Sequence, residues 1–117
     1  MKPTDLMIKD WVMVKVLSQI PNTYVLHTWA ANDYSRNLQV KPIPLTTEIL
    51  EKNGWVYTEY CHEYRDDKNT IQCRLPYMVG RINGIEIERF KCKYVHQYQH
   101  LLRLCGLNEL ANNFKVV

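Results

Sequence analysis

His96 and His100 stand four residues apart in Lys93-Tyr94-Val95-His96-Gln97-Tyr98-Gln99-His100-Leu101-Leu102-Arg103-Leu104-Cys105-Gly106. That spacing lets two imidazoles on one helical face reach a single metal ion. Such a site needs a third ligand. The H-E-x-x-H pattern of a zinc protease would put glutamate where this chain has Gln97, and Cys92, Cys105 and His62 help only if the fold brings them close. Cys61-His62 suggests a thiol nucleophile beside an imidazole base. Adjacent residues of a strand point to opposite faces, however, so the base would have to be His27 or His96. P-loop, G-x-G-x-x-G and G-x-S-x-G patterns are absent, and Glu86 and Glu88 fit a solvated strand face. These residues yield no catalytic set and no cofactor, and a metal-dependent enzyme is the third of three readings.

Binding chemistry is better represented. Tyr60, His62 and Tyr64 alternate along one face of an expected strand, and Arg74 and Arg81 follow on the next ones. Aromatic rings beside guanidinium groups suit a protein interface or stacking of single-stranded nucleic acid. The net charge of +3 is too small to imply nucleic acid by itself. Its distribution is more suggestive: Arg74, Arg81, Arg89, Lys91, Lys93 and Arg103 face only Glu86 and Glu88 between residues 74 and 103, which gives the second half a basic face.

The elements that must position these residues are legible from pattern. The helix over 93–106 gathers Tyr94, Val95, Tyr98, Leu101, Leu102 and Cys105 into an apolar stripe, leaving His96, Gln99, His100 and Arg103 on the other side as a solvent-facing contact surface. A stripe only partly covered by its own sheet would also serve a homo-oligomer. Residues 11–17 and 23–29 form an antiparallel hairpin, with a short third strand over 38–41 stopped by Pro42. Thr46 caps a two-turn helix that ends at Asn53-Gly54-Trp55, where Gly54 supplies the left-handed residue and Trp55 folds back on Leu50. Residues 55–64 read as one strand, 70–75 as its return, and Asn83-Gly84 as the turn of a further hairpin. Gly106 repeats the device of Gly54, and 108–113 adds a short final helical turn.

Together these give an α+β domain spanning 1–117, mostly antiparallel sheet with a short central and a C-terminal helix. The short, bent N-terminal strands could curl into an SH3-like half-barrel. With 46% hydrophobic residues the chain can build its own core. No run approaches the roughly 18 apolar residues of a membrane span, and the first residues lack the apolar core of a signal peptide. A cytoplasmic protein with no membrane partner is expected. Four cysteines without C-x-x-C spacing then read as reduced thiols, buried or half-buried.

Three stretches, Thr4-Asp5-Leu6-Met7-Ile8-Lys9-Asp10-Trp11-Val12, Pro42 to Trp55 and Lys93 to Gly106, resemble a family of uncharacterised small proteins from bacteroidete genomes, prophages and mobile elements. They cover about a third of the chain. The position of Lys9 is usually glycine in that family, so a different backbone conformation is expected at the start of the first strand. The resemblance carries no catalytic residue. It implies a phage or mobile-element setting inside a bacterial cell and a role in the contest between host and phage. The resulting expectation is a non-enzymatic protein that binds a host or phage protein, with a nucleic-acid-binding accessory module as the alternative.

Overall fold

A computed structural model of the chain describes residues 1–16, 19, 20, 22–65, 70–82 and 85–117, the side chains of 80–89 excepted. Strand β1 (Trp11–Lys15) pairs antiparallel with β2 (Tyr24–Thr28) from Trp11↔Thr28 to Lys15↔Tyr24, and on its other edge with β3 (Val40–Lys41). The sheet order is β2-β1-β3. The expected half-barrel is therefore present only as a three-stranded antiparallel sheet. Alternation along β1 sends its two faces to different interiors. Val12 and Val14 bury with Leu6 and Trp29 in a small core, whereas Trp11 and Met13 pack against the larger one. The stretch between β2 and β3 holds a 3-10 helix at Ala31–Ser35.

Helix α1 (Thr47–Lys52) forms between the expected signals. Thr46 accepts a hydrogen bond from the Ile49 N–H at 3.3 Å. Gly54 has φ +94°, and the Gly54 and Trp55 N–H groups donate to the Glu51 and Leu50 carbonyls at 3.2 and 3.1 Å, the paired bonds of a Schellman ending. Docking completes what two turns of helix cannot hold alone. Leu50 and Trp55 are fully buried, and Asn53 donates to the Lys115 carbonyl and accepts from its N–H, tying the C-terminal tail to the end of the helix.

The expected strand over 55–64 is in fact a tight hairpin. β4 (Val56–Tyr57) turns through Thr58–Cys61 and pairs with β5 (His62–Arg65) as Val56↔Glu63 and Tyr57↔His62. The Thr58 N–H and hydroxyl both donate to the Cys61 carbonyl, closing the turn. Alternation of residue types survives such a fold-back, so period alone could not reveal it. The sheet continues antiparallel through β6 (Thr70–Arg74), β7 (Tyr77–Ile82) and β8 (Ile85–Lys91), in the order β4-β5-β6-β7-β8. Ile82 pairs with Ile85 across Asn83-Gly84, whose expected turn lies outside the described residues, as does the one at 66–69.

Helix α2 (Val95–Leu104) is reached through a bridge in which the Leu45 and Val95 N–H groups donate to the Lys93 and Ile43 carbonyls. Its stripe of Val95, Tyr98, Leu101 and Leu102 closes the larger core, with Ile71, Cys73 and Met78 from the sheet and Leu50 and Trp55 from the segment around α1. Each such side chain, taken from water, contributes about 1.5–3 kcal/mol. The stripe is largely covered within the chain itself, with Tyr94 and Cys105 at its edges half-buried. Gly106 at φ +81° repeats the ending of α1, the Leu107 N–H donating to the Leu102 carbonyl at 2.9 Å, and α3 (Asn108–Asn112) packs behind it.

Candidate functional site

The second face of α2 is also interior. His96 is 6% exposed and Gln99 is fully buried, which corrects the expectation of a solvent-facing surface built from His96, Gln99, His100 and Arg103. What covers it is the segment leading into β1. Residues 7–10 form a turn in which the Asp10 N–H donates to the Met7 carbonyl at 3.0 Å and Lys9 takes φ +76°. Positive φ at the third residue is the geometry of a type II turn, for which glycine is the natural choice. Lys9 thus adopts a conformation that glycine reaches without strain.

This turn presents the Asp10 carboxylate, fully buried, to α2. One oxygen accepts from the Met7 N–H at 2.8 Å and from His100 Nε2, and the other from Arg103 Nη1 at 2.6 Å. Arg103 also donates to the Ile8 carbonyl at 3.1 Å. One turn back, the Gln99 amide accepts from the Trp11 N–H at 2.9 Å and donates to the Lys9 and Ala111 carbonyls at 3.0 and 2.9 Å. Every polar atom of Gln99 is used in joining the small sheet, α2 and α3. Buried amides and carboxylates persist only when satisfied in this way.

His96 and His100 do not converge as a ligand pair. Their ring centroids are 5.7 Å apart in an edge contact, His100 Nε2 is committed to Asp10, and His96 stacks on Tyr94. Among the described residues no group of three or more His, Cys, Asp or Glu side chains is arranged to hold a metal ion. His96 Nδ1 is buried without a hydrogen-bond partner, and burial, followed by the neighbouring His100, holds the His96 pKa below its ordinary value. Met1, Asp5, Pro42, Tyr94, His96, Gln97 and His100 line an open cleft of about 460 Å³ at the start of α2.

The Cys/His reading finds no pair. Cys61 Sγ lies 3.6 Å from Thr58 Oγ1, while His62 bonds Glu51 at 3.0 Å and His27 bonds Asp33 at 2.7 Å. Cys73 and Cys92 are buried in the core, and burial pushes their thiols up to about 12 and about 11, far from thiolate chemistry at neutral pH.

The tyrosines part company as well. Tyr60 sits in the β4–β5 turn, 72% exposed, whereas Tyr64 packs its ring against Trp55 with centroids 4.6 Å apart and His62 is buried. The shared outer face expected for Tyr60, His62 and Tyr64 is undone by the hairpin. Tyr60 instead joins Leu75, Pro76, Tyr77 and Val79 around an apolar groove of about 340 Å³ on the outer face of the larger sheet, with Gln72 and Arg74 also lining it. Of the expected basic set, Arg74, Lys91 and Lys93 are exposed, while the side chains of Arg81 and Arg89 lie outside the described residues. No carboxylate lies within ion-pair distance of Arg74 among the described residues; the nearby Glu63 is bonded to Arg65.

Reading the sequence missed Asp10, Asp33 and Asn53. For Asp10 a signal existed: the face of α2 taken as solvated carries His, Gln, His and Arg with no Lys or Glu, an unusual composition for a surface. No family model matches the chain, and neither does any curated protein or solved structure.

Proposed function

We propose that this chain is a small non-enzymatic protein of a phage or mobile element that acts inside a bacterial cell by binding a host or phage protein, through the groove on the outer face of the larger sheet. The observation that carries the binding reading is the arrangement of Tyr60, Tyr77 and Arg74 around an apolar concavity, the aromatic and arginine chemistry of interface hot spots. Arg74, which has no carboxylate within ion-pair distance among the described residues, suits an occupant that is a segment of a partner protein placing an aliphatic or aromatic side chain in the groove and a carboxylate beside the guanidinium. The phage setting, and with it a part in host defence or its evasion, is supported by the resemblance of the three stretches described above.

Co-purification from a native host, run in parallel with Tyr60→Ala and Arg74→Glu, tests this. Both side chains are exposed, so the variants keep the thermal stability of the parent. A protein captured stoichiometrically by the parent and lost by both variants supports the reading, and one retained by both removes the groove from it. Binding of DNA or RNA at low ionic strength that weakens as salt rises, with no protein captured, would replace it by the nucleic-acid alternative.

A further inference from the structure

The two sheets of the described residues end in four edges, and three of these are blunted. β3 and β4 are two residues long, and Pro42 follows β3 directly. By sequence, β8 carries Glu86, Glu88, Arg89 and Lys91 among its seven residues. Short strands, proline and charge are the means by which sheet edges are kept from pairing with other chains. β2 has none of them. Its five residues, Tyr24-Val25-Leu26-His27-Thr28, include no Lys, Arg, Asp, Glu, Gly or Pro, and Val25 and Leu26 are 45% and 40% exposed. The ladder to β1 fixes which backbone groups of β2 are free. The Thr23 carbonyl accepts from the Val16 N–H and the Trp29 N–H donates to the Asp10 carbonyl, so alternation turns the groups of Val25 and His27 toward β1 as well. Those of Tyr24, Leu26 and Thr28 point away from the sheet and have no partner among the described residues.

We infer that β2 is the pairing edge of a homodimer, in which two copies of the chain meet antiparallel about a two-fold axis at Leu26. The register is self-complementary. Leu26 lies opposite Leu26 of the second copy, Tyr24 opposite its Thr28 and Val25 opposite its His27, and every outward N–H of one strand meets an outward carbonyl of the other. A slip of one residue sets outward groups against inward ones, and a slip of two leaves Tyr24 or Thr28 unpaired. The match is one the strand makes with itself, which is why the occupant is a second copy. No like charges oppose in it, and His27 is already bonded to Asp33 at 2.7 Å. Pairing joins the two three-stranded sheets into one continuous sheet. Five residues a side put the contact at the weak end of specific interfaces, with a Kd of about 0.1 mM. The groove around Tyr60 belongs to the other sheet and takes no part.

Sedimentation equilibrium and NMR on the full chain, from about 10 µM to about 1 mM, test the pairing. The mass should rise from 14.0 kDa toward twice that value. Over the same range the amide protons of Tyr24, Leu26 and Thr28 should move downfield as they gain hydrogen bonds, while those of Val25 and His27, already bonded to β1, hold their positions. Leu26→Lys and Leu26→Glu each set like charges on the axis at an exposed position and should each weaken the dimer about ten-fold with the fold intact. An equimolar mixture of the two brings opposite charges together there and should pair about ten-fold more tightly than either alone. Tyr60→Ala should dimerise as the parent does. A mass that stays at 14.0 kDa throughout, a dimer indifferent to both Leu26 variants, or a mixture no tighter than its components would each overturn the inference. So would a monomeric chain whose same three amides respond only to a captured foreign protein, since the edge would then belong to that protein's strand.

Discussion

Two buried carboxylates in this molecule make almost the same bonds and do different work. Asp33 accepts from the Ala30 N–H, His27 and Arg36, all within six residues. Asp10 accepts from the Met7 N–H, His100 and Arg103, the last two about ninety residues away in sequence. The first arrangement shapes a loop between β2 and β3; the second fastens the start of the chain to its last long helix. They also differ in what surrounds them. The side chains of His27 and Arg36 are 32% and 56% exposed, against 25% and 14% for His100 and Arg103. Similar chemistry is therefore local and half-solvated in one place, distant and enclosed in the other, and the cost of losing it should follow that difference.

The largest effect is expected from Asp10→Ala. It strands a largely enclosed guanidinium and an imidazole with no anion between them, a loss of about 3–5 kcal/mol for a broken buried pair. Urea denaturation of parent and variant measures it. A loss near that of an exposed ion pair, below about 1 kcal/mol, would mean that Arg103 escapes to water as easily as Arg36 does and would erase the contrast.

Gln99→Leu comes next and probes the same seam without charge. The substitution leaves the Trp11 N–H and the Lys9 carbonyl unpaired in the interior, while the Ala111 carbonyl keeps a contact from the Phe114 N–H. About 2–3 kcal/mol should be lost, and the amide protons of β1 should exchange faster, beginning with that of Trp11. If exchange rises uniformly over the whole chain instead, Gln99 supports global packing and is not a joint between sheet and helix.

Legibility in the sequence divides along the same line between local and distant. Both helix endings were readable because Asn53-Gly54-Trp55 and Cys105-Gly106-Leu107 carry their bonds within a few residues. The three-stranded sheet followed from the β-branched runs and the stop at Pro42, and the antiparallel α+β class from the sum of such elements. The hairpin within 56–65 was not readable, because its turn, Thr58-Glu59-Tyr60-Cys61, contains neither Gly nor Pro and is closed by Thr58 bonds to a carbonyl. The interior role of His100 and Arg103 had only a compositional hint, the absence of Lys and Glu from their face, because their partner Asp10 lies at the other end of the chain. The groove had half a signal: Tyr60 and Arg74 were singled out, but Leu75, Pro76 and Tyr77 meet Tyr60 only once β4 and β5 fold back.

Asp33→Ala should cost less, about 1–2 kcal/mol, because Arg36 and His27 can turn to water and only the Ala30 N–H is left unsatisfied. Its pH signature separates it from other groups. Burial raises the Asp33 pKa, but the bonds from His27, Ala30 and Arg36 outweigh burial and hold it below 3.8. The contribution is therefore complete above about pH 4 and disappears as pH falls through the lower, folded-state value. His96 works at higher pH with the other ionic form. With its folded pKa below 6.5, the unfolded chain takes up the proton first, so stability declines as pH drops from 6.5. Asp33→Asn should flatten only the lower limb of a stability profile, and a change above pH 5 would assign that limb to a different carboxylate.

The smallest effect tests the turn on which the Asp10 side of the comparison rests. Lys9 at φ +76° occupies the left-handed region, which costs a side-chain-bearing residue about 1–2 kcal/mol. Lys9→Gly removes that strain and gives back part of it through the greater freedom of glycine in the unfolded chain, leaving a net gain of about 0.5–1 kcal/mol. Lys9→Ala retains the strain and should be neutral, since the Lys9 side chain is exposed and its contribution to the seam is made through the main-chain carbonyl bonded to Gln99 and the N–H bonded to Trp29. Glycine stabilising while alanine does not is the pattern that separates a backbone requirement from a side-chain one. Equal effects of the two would move the cause to the lysine charge, and the turn that presents Asp10 would then hold its shape from the carboxylate side alone.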